Sequence, residues 1–250
     1  MTDIATIAAA YDAGVEEELN RLVSTPVFMA EFDLVKEYLI KYIKKGSVVM
    51  DIGAGPGRYT EFLLNCGCKV GAIDISRISL EVLKSRLNEN NKNNLLFQKT
   101  SCSSKIDFVE SNSVDAVLLM GPMYHLTDME ERLTSLKHAC RILKDDGVLF
   151  CIFMSDYPIT RQQKNEETKC ITSTIFQGYC IEQFRCNVIS ARLQLQTAGF
   201  KLTEVQNLDM VNDKASDTYL DAKSIKNLLL SMSPHNAGLA SQFLCVAKKI

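Results

Sequence analysis

Between Lys44 and Met154, short apolar runs alternate with stretches whose apolar residues recur three and four positions apart. Val48–Ile52 is nearly all apolar, the pattern of a strand buried on both faces. Tyr59–Cys66 follows in helical rhythm, with Tyr59, Phe62 and Leu63 on one side. Lys69–Ile75 predicts a second strand, and Ser76–Asn88 a helix carrying Leu80, Leu83 and Leu87. The polar run Asn88–Asn94 predicts a turn, Leu95–Lys99 a third strand, and Val114–Met120 a fourth that is apolar except for Asp115. Thr127 and Glu130 have the spacing of a capping box, predicting a helix to Leu143 with Met129, Leu133 and Leu136 inward. Lys144–Gly147 ends that helix, and Val148–Met154 reads as a fifth strand. Strands alternating with helices imply a parallel sheet covered on both faces, and right-handed crossovers make the α/β fold doubly wound.

Two regions stand outside this rhythm. Val15–Ile43 holds two helical patterns parted near Pro26, with Leu34, Tyr38 and Leu39 marking the second. Ser155–Gly199 is polar and irregular in its first half and helical around Val188–Leu195. Its position after the fifth strand sets it over the carboxyl edge of the sheet, where α/β proteins bind ligands. A strand at Leu202–Leu208, a helix at Lys223–Met232 and a last strand at Gln242–Lys248 complete the pattern. No linker divides the chain. We expect one domain over 1–250: a helical cap at 1–45, a core at 46–154, a lid insertion at 155–198, and C-terminal strands and helix at 199–250.

Composition narrows the function classes. A chain of 250 residues that is 46% hydrophobic builds a large core and excludes disordered and fibrous classes. A net charge of −2 argues against a broad hold on phosphate backbones, so no nucleic-acid partner is expected. No apolar run spans a bilayer, and the N-terminus carries acid where a signal peptide carries base. The 9 cysteines are odd in number and irregularly spaced, which predicts free thiols in the cytoplasm and no metal site.

The chemistry concentrates at Val48–Tyr59, where the sequence VVMDIGAGPGRY joins the first strand to the first helix. Glycines there let the backbone take positive φ and approach a ligand, and the helix that follows offers free N–H groups. Asp74 ends the second strand 21 residues beyond Gly53, where a carboxylate accepts both ribose hydroxyls of an adenosine. A nicotinamide dinucleotide site wants G-x-G-x-x-G. Here the third glycine comes one residue early, at Gly57, and Arg58 stands in the expected place. Asp51, before the first glycine, suits an ammonium group rather than a pyrophosphate.

The pattern D-x-G-x-G-x-G with an acidic end to the second strand resembles the class I S-adenosylmethionine-dependent methyltransferases. Met120–Leu126 (MGPMYHL) and Arg141–Leu149 (RILKDDGVL) extend the resemblance across 46–154. GPGRY, LLMGPMYHL and an N-terminal Tyr11 are similar to the UbiE-like group of small-molecule methyltransferases. The resemblance implies a Rossmann-like, mostly parallel seven-stranded sheet with an antiparallel last strand. It implies that Gly53, Ala54, Gly55 and Gly57, with Arg58 beside them, line the methionine part of the cofactor, and that Asp51 faces the α-ammonium. Asp74 would hold the ribose and Ile75 the adenine. The family's acidic residue after the third strand is replaced by Thr100, Ser101 and Cys102, whose hydroxyls and backbone would take its part. The backbone of Met120 and Gly121 would lie near the sulfonium.

Methyl transfer from a sulfonium needs alignment and exclusion of water, and a base only where the nucleophile arrives protonated. His125, with an unperturbed pKa near neutrality, is the candidate base; Tyr124 and Tyr11 complete the candidate catalytic set, with packing or a lid as their other reading. The expected activity is methyl transfer to O, N or S of a small molecule by a monomer or homodimer. An RNA or protein methyltransferase and a non-catalytic S-adenosylmethionine-binding domain are the alternatives.

Overall fold

The computed structural model describes residues 2–156, 170–209, 220–231 and 240–250. Three helices open the chain: α1 (Ile4–Ala13), α2 (Val15–Ser24) and α3 (Pro26–Tyr42). The core runs β1 (Val48–Ile52), α4 (Arg58–Asn65), β2 (Lys69–Asp74), α5 (Arg77–Arg86), α6 (Glu89–Asn94), β3 (Leu95–Thr100) and β4 (Val114–Leu119). A single turn of 3₁₀ helix (Pro122–Tyr124) leads to α7 (Met129–Ile142) and β5 (Leu143–Ser155). Then come β6 (Ile171–Phe176), β7 (Tyr179–Cys186), α8 (Val188–Thr197), β8 (Phe200–Asn207), α9 (Ala222–Ser231) and β9 (Gln242–Lys249).

The strands β3-β2-β1-β4-β5 pair in parallel, and β9 lies antiparallel between β5 and β8. This is the Rossmann-like sheet with an antiparallel last strand that the sequence predicts. The hairpin β6–β7 attaches to the end of β5 through Met154–Arg185 and Ser155–Cys186, making a sheet of 9 strands among the described residues. Side chains alternate across β5: Leu149, Cys151 and Phe153 enter one core, while Val148, Phe150 and Ile152 enter the other. That is why the sequence reads as a continuous apolar run there. The core holding Phe150 also takes Leu34, Val35 and Leu39 of α3 with Leu80 and Leu83 of α5; the opposite core takes Leu136, Ala139 and Ile142 of α7.

Several local readings need correction. The Asn88–Asn94 segment is not a turn: the Asn88 side chain accepts from Asn91 N and starts α6. The cap of α7 is Asp128, not Thr127; its carboxylate reaches Glu131 N, and the one-residue shift leaves Met129 exposed. Lys144–Gly147 belongs to β5, whose pairing with β4 shifts register between Val114 and Ala116. α1 went unpredicted; Asp3 caps it through Thr6 N, and Ile7 and Ala10 are buried beneath it. Within the insertion, 171–186 is a regular hairpin. Its turn residues Gln177 (φ 51°) and Gly178 (φ 81°) both take positive φ, the geometry that matches strand twist in two-residue hairpins. The irregular half of the predicted lid, at 157–169, lies outside the described residues, as do Met232 and His235.

Phe150 is fully buried on the central strand β5. Phe150→Ala is expected to cost about 3–5 kcal/mol of stability, read as a lower urea midpoint at unchanged m-value.

Candidate active site

A cleft opens at the carboxyl ends of β1, β2 and β4 and encloses about 1040 Å³, its mouth included. Its floor is the turn after β1, where Gly53 N and Ala54 N both donate to Ile73 O. The three glycines of this turn have φ of +80°, +54° and +86° for Gly53, Gly55 and Gly57, and each is needed for a different reason. A Cβ on Gly53 would stand 2.6 Å from Pro122 Cδ, and one on Gly57 would stand 2.2 Å from Leu83 Cδ1. A Cβ on Gly55 would meet nothing within 4 Å, so packing does not call for glycine there. Gly55 borders the cleft; Gly57 caps α4 and faces Leu83 instead.

Asp74 closes the turn from the neighbouring strand. Its Oδ2 accepts from Gly55 N and its Oδ1 from Ser76 N, each at 2.7 Å. Burial pushes this carboxyl up to about 6, against the pull of those backbone donors. Asp51, at the tip of β1, accepts from Thr60 Oγ1 at 2.6 Å and is pushed up by burial to about 7. Beyond β3, Ser101 and Cys102 reach the cleft while the exposed Thr100 does not. After β4, Met120 and Gly121 pass the glycine turn so closely that a Cβ on Gly121 would lie 3.5 Å from Gly53 O.

The roof comes from α1 and α2. Asp12 Oδ1 accepts from Ser76 Oγ at 2.5 Å and from Ile78 N at 3.3 Å, tying α1 to the start of α5. Tyr11 contacts the Phe176 ring of the hairpin, and its hydroxyl lies 2.8 Å from His125 Nε2. Burial with no balancing charge lowers His125 to about 4. The ring thus holds its proton less tightly than the unperturbed imidazole assumed from the sequence. Tyr124 packs on His125 with ring centres 4.6 Å apart, and burial pushes both Tyr11 and Tyr124 up.

The structure therefore gathers Asp51, Gly53, Ala54, Gly55, Arg58, Asp74 and Ile75 around one cleft with Tyr11, Tyr124 and His125. Gly57 and Thr100 fall outside it. The sequence reading missed Glu18, Arg21, Tyr59 and Ser103, which also line it. Glu18, Arg21 and Leu22 recur three and four apart in α2, so helical spacing marks them as one face. Arg21 Nε donates to Glu18 Oε1 at 3.0 Å, and its Nη1 lies 3.5 Å from Glu31. Glu31 also accepts from Gln242 Nε2, and burial pushes it up to about 7.

Residues 49–147 match the family described as a methyltransferase domain. This core, less than half of the chain, is thus similar to methyltransferase domains. No curated protein matches the sequence. A putative methyltransferase from Haloferax volcanii, solved with the Trm112 methyltransferase activator, is 16% identical with a TM-score of 0.65, over 96% of this chain and 95% of that one. A putative S-adenosylmethionine-dependent methyltransferase from Listeria monocytogenes is 15% identical with a TM-score of 0.62, over 89% and 99%. The 1,6-didemethyltoxoflavin-N1-methyltransferase of Burkholderia thailandensis, holding 1,6-didemethyltoxoflavin and S-adenosylhomocysteine, is 16% identical with a TM-score of 0.58, over 98% and 88%. At these identities the likeness establishes the fold. Among the described residues, no helix of the methyltransferase is long and apolar enough to cross a membrane.

Asp51 titrates at about 7 in the fold against an ordinary 3.8, so the native state holds its proton longer than the unfolded chain. Stability of the ligand-free methyltransferase therefore falls through this group as pH rises from about 4 to 7. Asp51→Asn, which keeps an acceptor for Thr60, is expected to flatten that decline in urea unfolding at the two ends of the window.

Proposed function

We propose that the protein transfers the methyl group of S-adenosylmethionine to an O, N or S atom of a small-molecule acceptor. The observation that carries the acceptor class is the roof. Ile4, Ile7, Tyr11, Arg21 and Leu22 close the cleft above the glycine turn, leaving a compartment for a compact molecule rather than an open groove. When bound, S-adenosylmethionine supplies a methyl group activated by its sulfonium. Gly55, free of neighbours, and Asp74, fixed by two backbone donors, fit its ribose end. Asp51 would face the ammonium, Ile75 would hold the adenine, and Ser101 and Cys102 would meet its amino group, all four lining the cleft. The backbone of Met120 and Gly121 would lie on the side of the reacting carbon. Holding two reactants in line contributes about 7–11 kcal/mol, which is where we place the rate enhancement.

In this reading 1–250 is one methyltransferase domain with a cap at 1–45 and a lid insertion at 155–198. Cys66, Cys68, Cys102, Cys140, Cys151, Cys180, Cys186 and Cys245 form no disulfide, which supports a reducing compartment, the cytoplasm.

Calorimetry tests the cofactor end. S-adenosylhomocysteine should bind, Asp74→Ala should weaken it by about 1.5–3 kcal/mol, and NAD should not bind. Gly55→Ala should weaken binding, because its Cβ would enter ligand space rather than protein, and should cost about 1–2 kcal/mol of stability for the left-handed φ of +54°. The acceptor end is tested by S-adenosylhomocysteine release with phenols, thiols, amines and carboxylates on one side and transfer RNA and whole-cell protein on the other. Turnover confined to the macromolecules would overturn the small-molecule assignment.

A further inference from the structure

The β6–β7 hairpin ends the sheet, and among the described residues β6 pairs on one side only, with β7. Two hydrogen bonds fix which backbone groups of β6 stay free. Arg185 N donates to Cys170 O at 2.7 Å, whereas Glu182 N, opposite Ser173, turns the other way and donates to Thr2 Oγ1 at 2.9 Å. Bonded and unbonded pairs alternate along two antiparallel strands. Thr172, Thr174 and Phe176 therefore spend their N–H and C=O groups on β7, and Ile171, Ser173 and Ile175 aim theirs at the open edge. The side chains divide in the same way. Phe176 packs on Tyr11 and Gly14 of the roof, while Ile171 and Ile175 stand 42% and 78% exposed on the other face. Edge strands ordinarily carry a charge, a proline or a bulge against pairing. Ile171–Phe176 (ITSTIF) has no charged residue and no proline, and its pairing with β7 runs without a bulge. Ile171–Ile175 also reads the same in both directions about Ser173.

We propose that β6 is a dimerisation edge, at which a second copy of this chain pairs antiparallel about a two-fold axis through Ser173. A two-fold contact needs a surface complementary to itself, and a strand that reads alike in both directions about an outward-bonding residue is such a surface. Ser173 of one copy meets Ser173 of the other, Ile171 meets Ile175, and Ile175 meets Ile171. These are the pairs that exchange two backbone hydrogen bonds each, with Cα atoms about 5.5 Å apart, so the free N–H and C=O groups of the edge are all used. The exposed isoleucines become cross-strand pairs on one face, and Thr172 meets Thr174 on the other. The strand brings no charge into the contact. A contact confined to one strand per copy falls below the roughly 1,200 Å² of a standard interface, so the dimer is reversible. Phe176 keeps its place against the roof, because it lies on the opposite face and beyond the paired stretch. The proposal goes beyond the methyl-transfer reading and does not depend on it.

Sedimentation equilibrium of the full chain under reducing conditions should show a monomer–dimer equilibrium with a micromolar dissociation constant. Ile175→Lys places a charge at an exposed position, and Ser173→Pro removes an N–H that β7 does not use. Each should raise the dissociation constant by about tenfold or more, because the two-fold axis makes every change count twice. Circular dichroism should show Ile175→Lys folded as wild type, which keeps the comparison intact should Ser173→Pro fail to fold. A wild type still monomeric at about 1 mM overturns the proposal, as does a dimer that both variants leave unchanged. Cross-linking reads the register once the exposed Cys66, Cys170 and Cys180 are replaced by Ser. In that background Ser173→Cys should form a disulfide-linked dimer on mild oxidation, since only position 173 faces its own copy, and Ile175→Cys should not. Cross-linking at 175 in preference to 173 overturns the two-fold centre.

Discussion

One carboxylate organises the cleft. Asp74 receives Gly55 N on one oxygen and Ser76 N on the other, joining the turn after β1 to the start of α5 across two neighbouring strands. The parallel register of β1 and β2, from Val48–Lys69 to Ile52–Ile73, brings Asp74 to the level of the glycine turn. There it accepts from the N–H of Gly55, whose φ of +54° carries the chain on toward Gly57. The same carboxylate fixes the Ser76 backbone, whose side chain caps α5 through Ser79 N and meets Asp12 of the roof. Floor and roof therefore share one anchor.

Three of the roof's ties involve the end of α1. Asp12 binds the α5 start, Tyr11 binds His125 after β4, and Tyr11 with Gly14 packs on Phe176 of the β6–β7 hairpin. Gly14 is required there, since a Cβ would stand 2.4 Å from the Phe176 ring. None of these ties belongs to the apolar core shared by α3 and the sheet. Ile7, Ala10 and Ile181 form instead a small cluster of their own with Tyr11, Ile75 and Phe176 around it. Segments with few buried apolar contacts open at lower free energy than the core, which is what a cover over a ligand site requires.

The fold was legible because buried parallel strands write themselves as apolar runs, and the cofactor end was legible because a glycine turn and a strand-end acid are local features. The expected neighbourhood of Asp51, Gly53, Gly55 and Asp74 needed only the register of two adjacent strands. The roof was not legible in the same way. α1 has no polar face to alternate with its apolar one, and Glu18 and Arg21 read as solvated charges until α2 is laid across the cleft. The hairpin carried a readable turn, Gln177-Gly178 between alternating residues, but its strands are mostly exposed and so lack the apolar density that marks β1 or β4. The place of His125 beside the cleft follows from sequence spacing after β4, whereas its burial depends on Tyr11 of α1, a contact across more than a hundred residues, as well as on its neighbour Tyr124.

The carboxyls of the cleft show what this arrangement costs and what relieves it. Asp51 and Asp74 are buried at neighbouring strand ends, and burial raises both toward neutrality although hydrogen bonds pull them down. A cation delivered between them would reverse the desolvation term and lower both values. On the proposed assignment, the α-ammonium and sulfonium of S-adenosylmethionine bring that charge to the place where the protein has left acids short of partners. Binding then releases the protons these groups still hold and tightens as pH rises through about 6 to 7. His125 does not share this behaviour, because its low value keeps it neutral over the same range. The two carboxyls of the cleft are thus charge-responsive where His125 is not, because burial opposes charge on all three and an incoming cation balances only the negative ones.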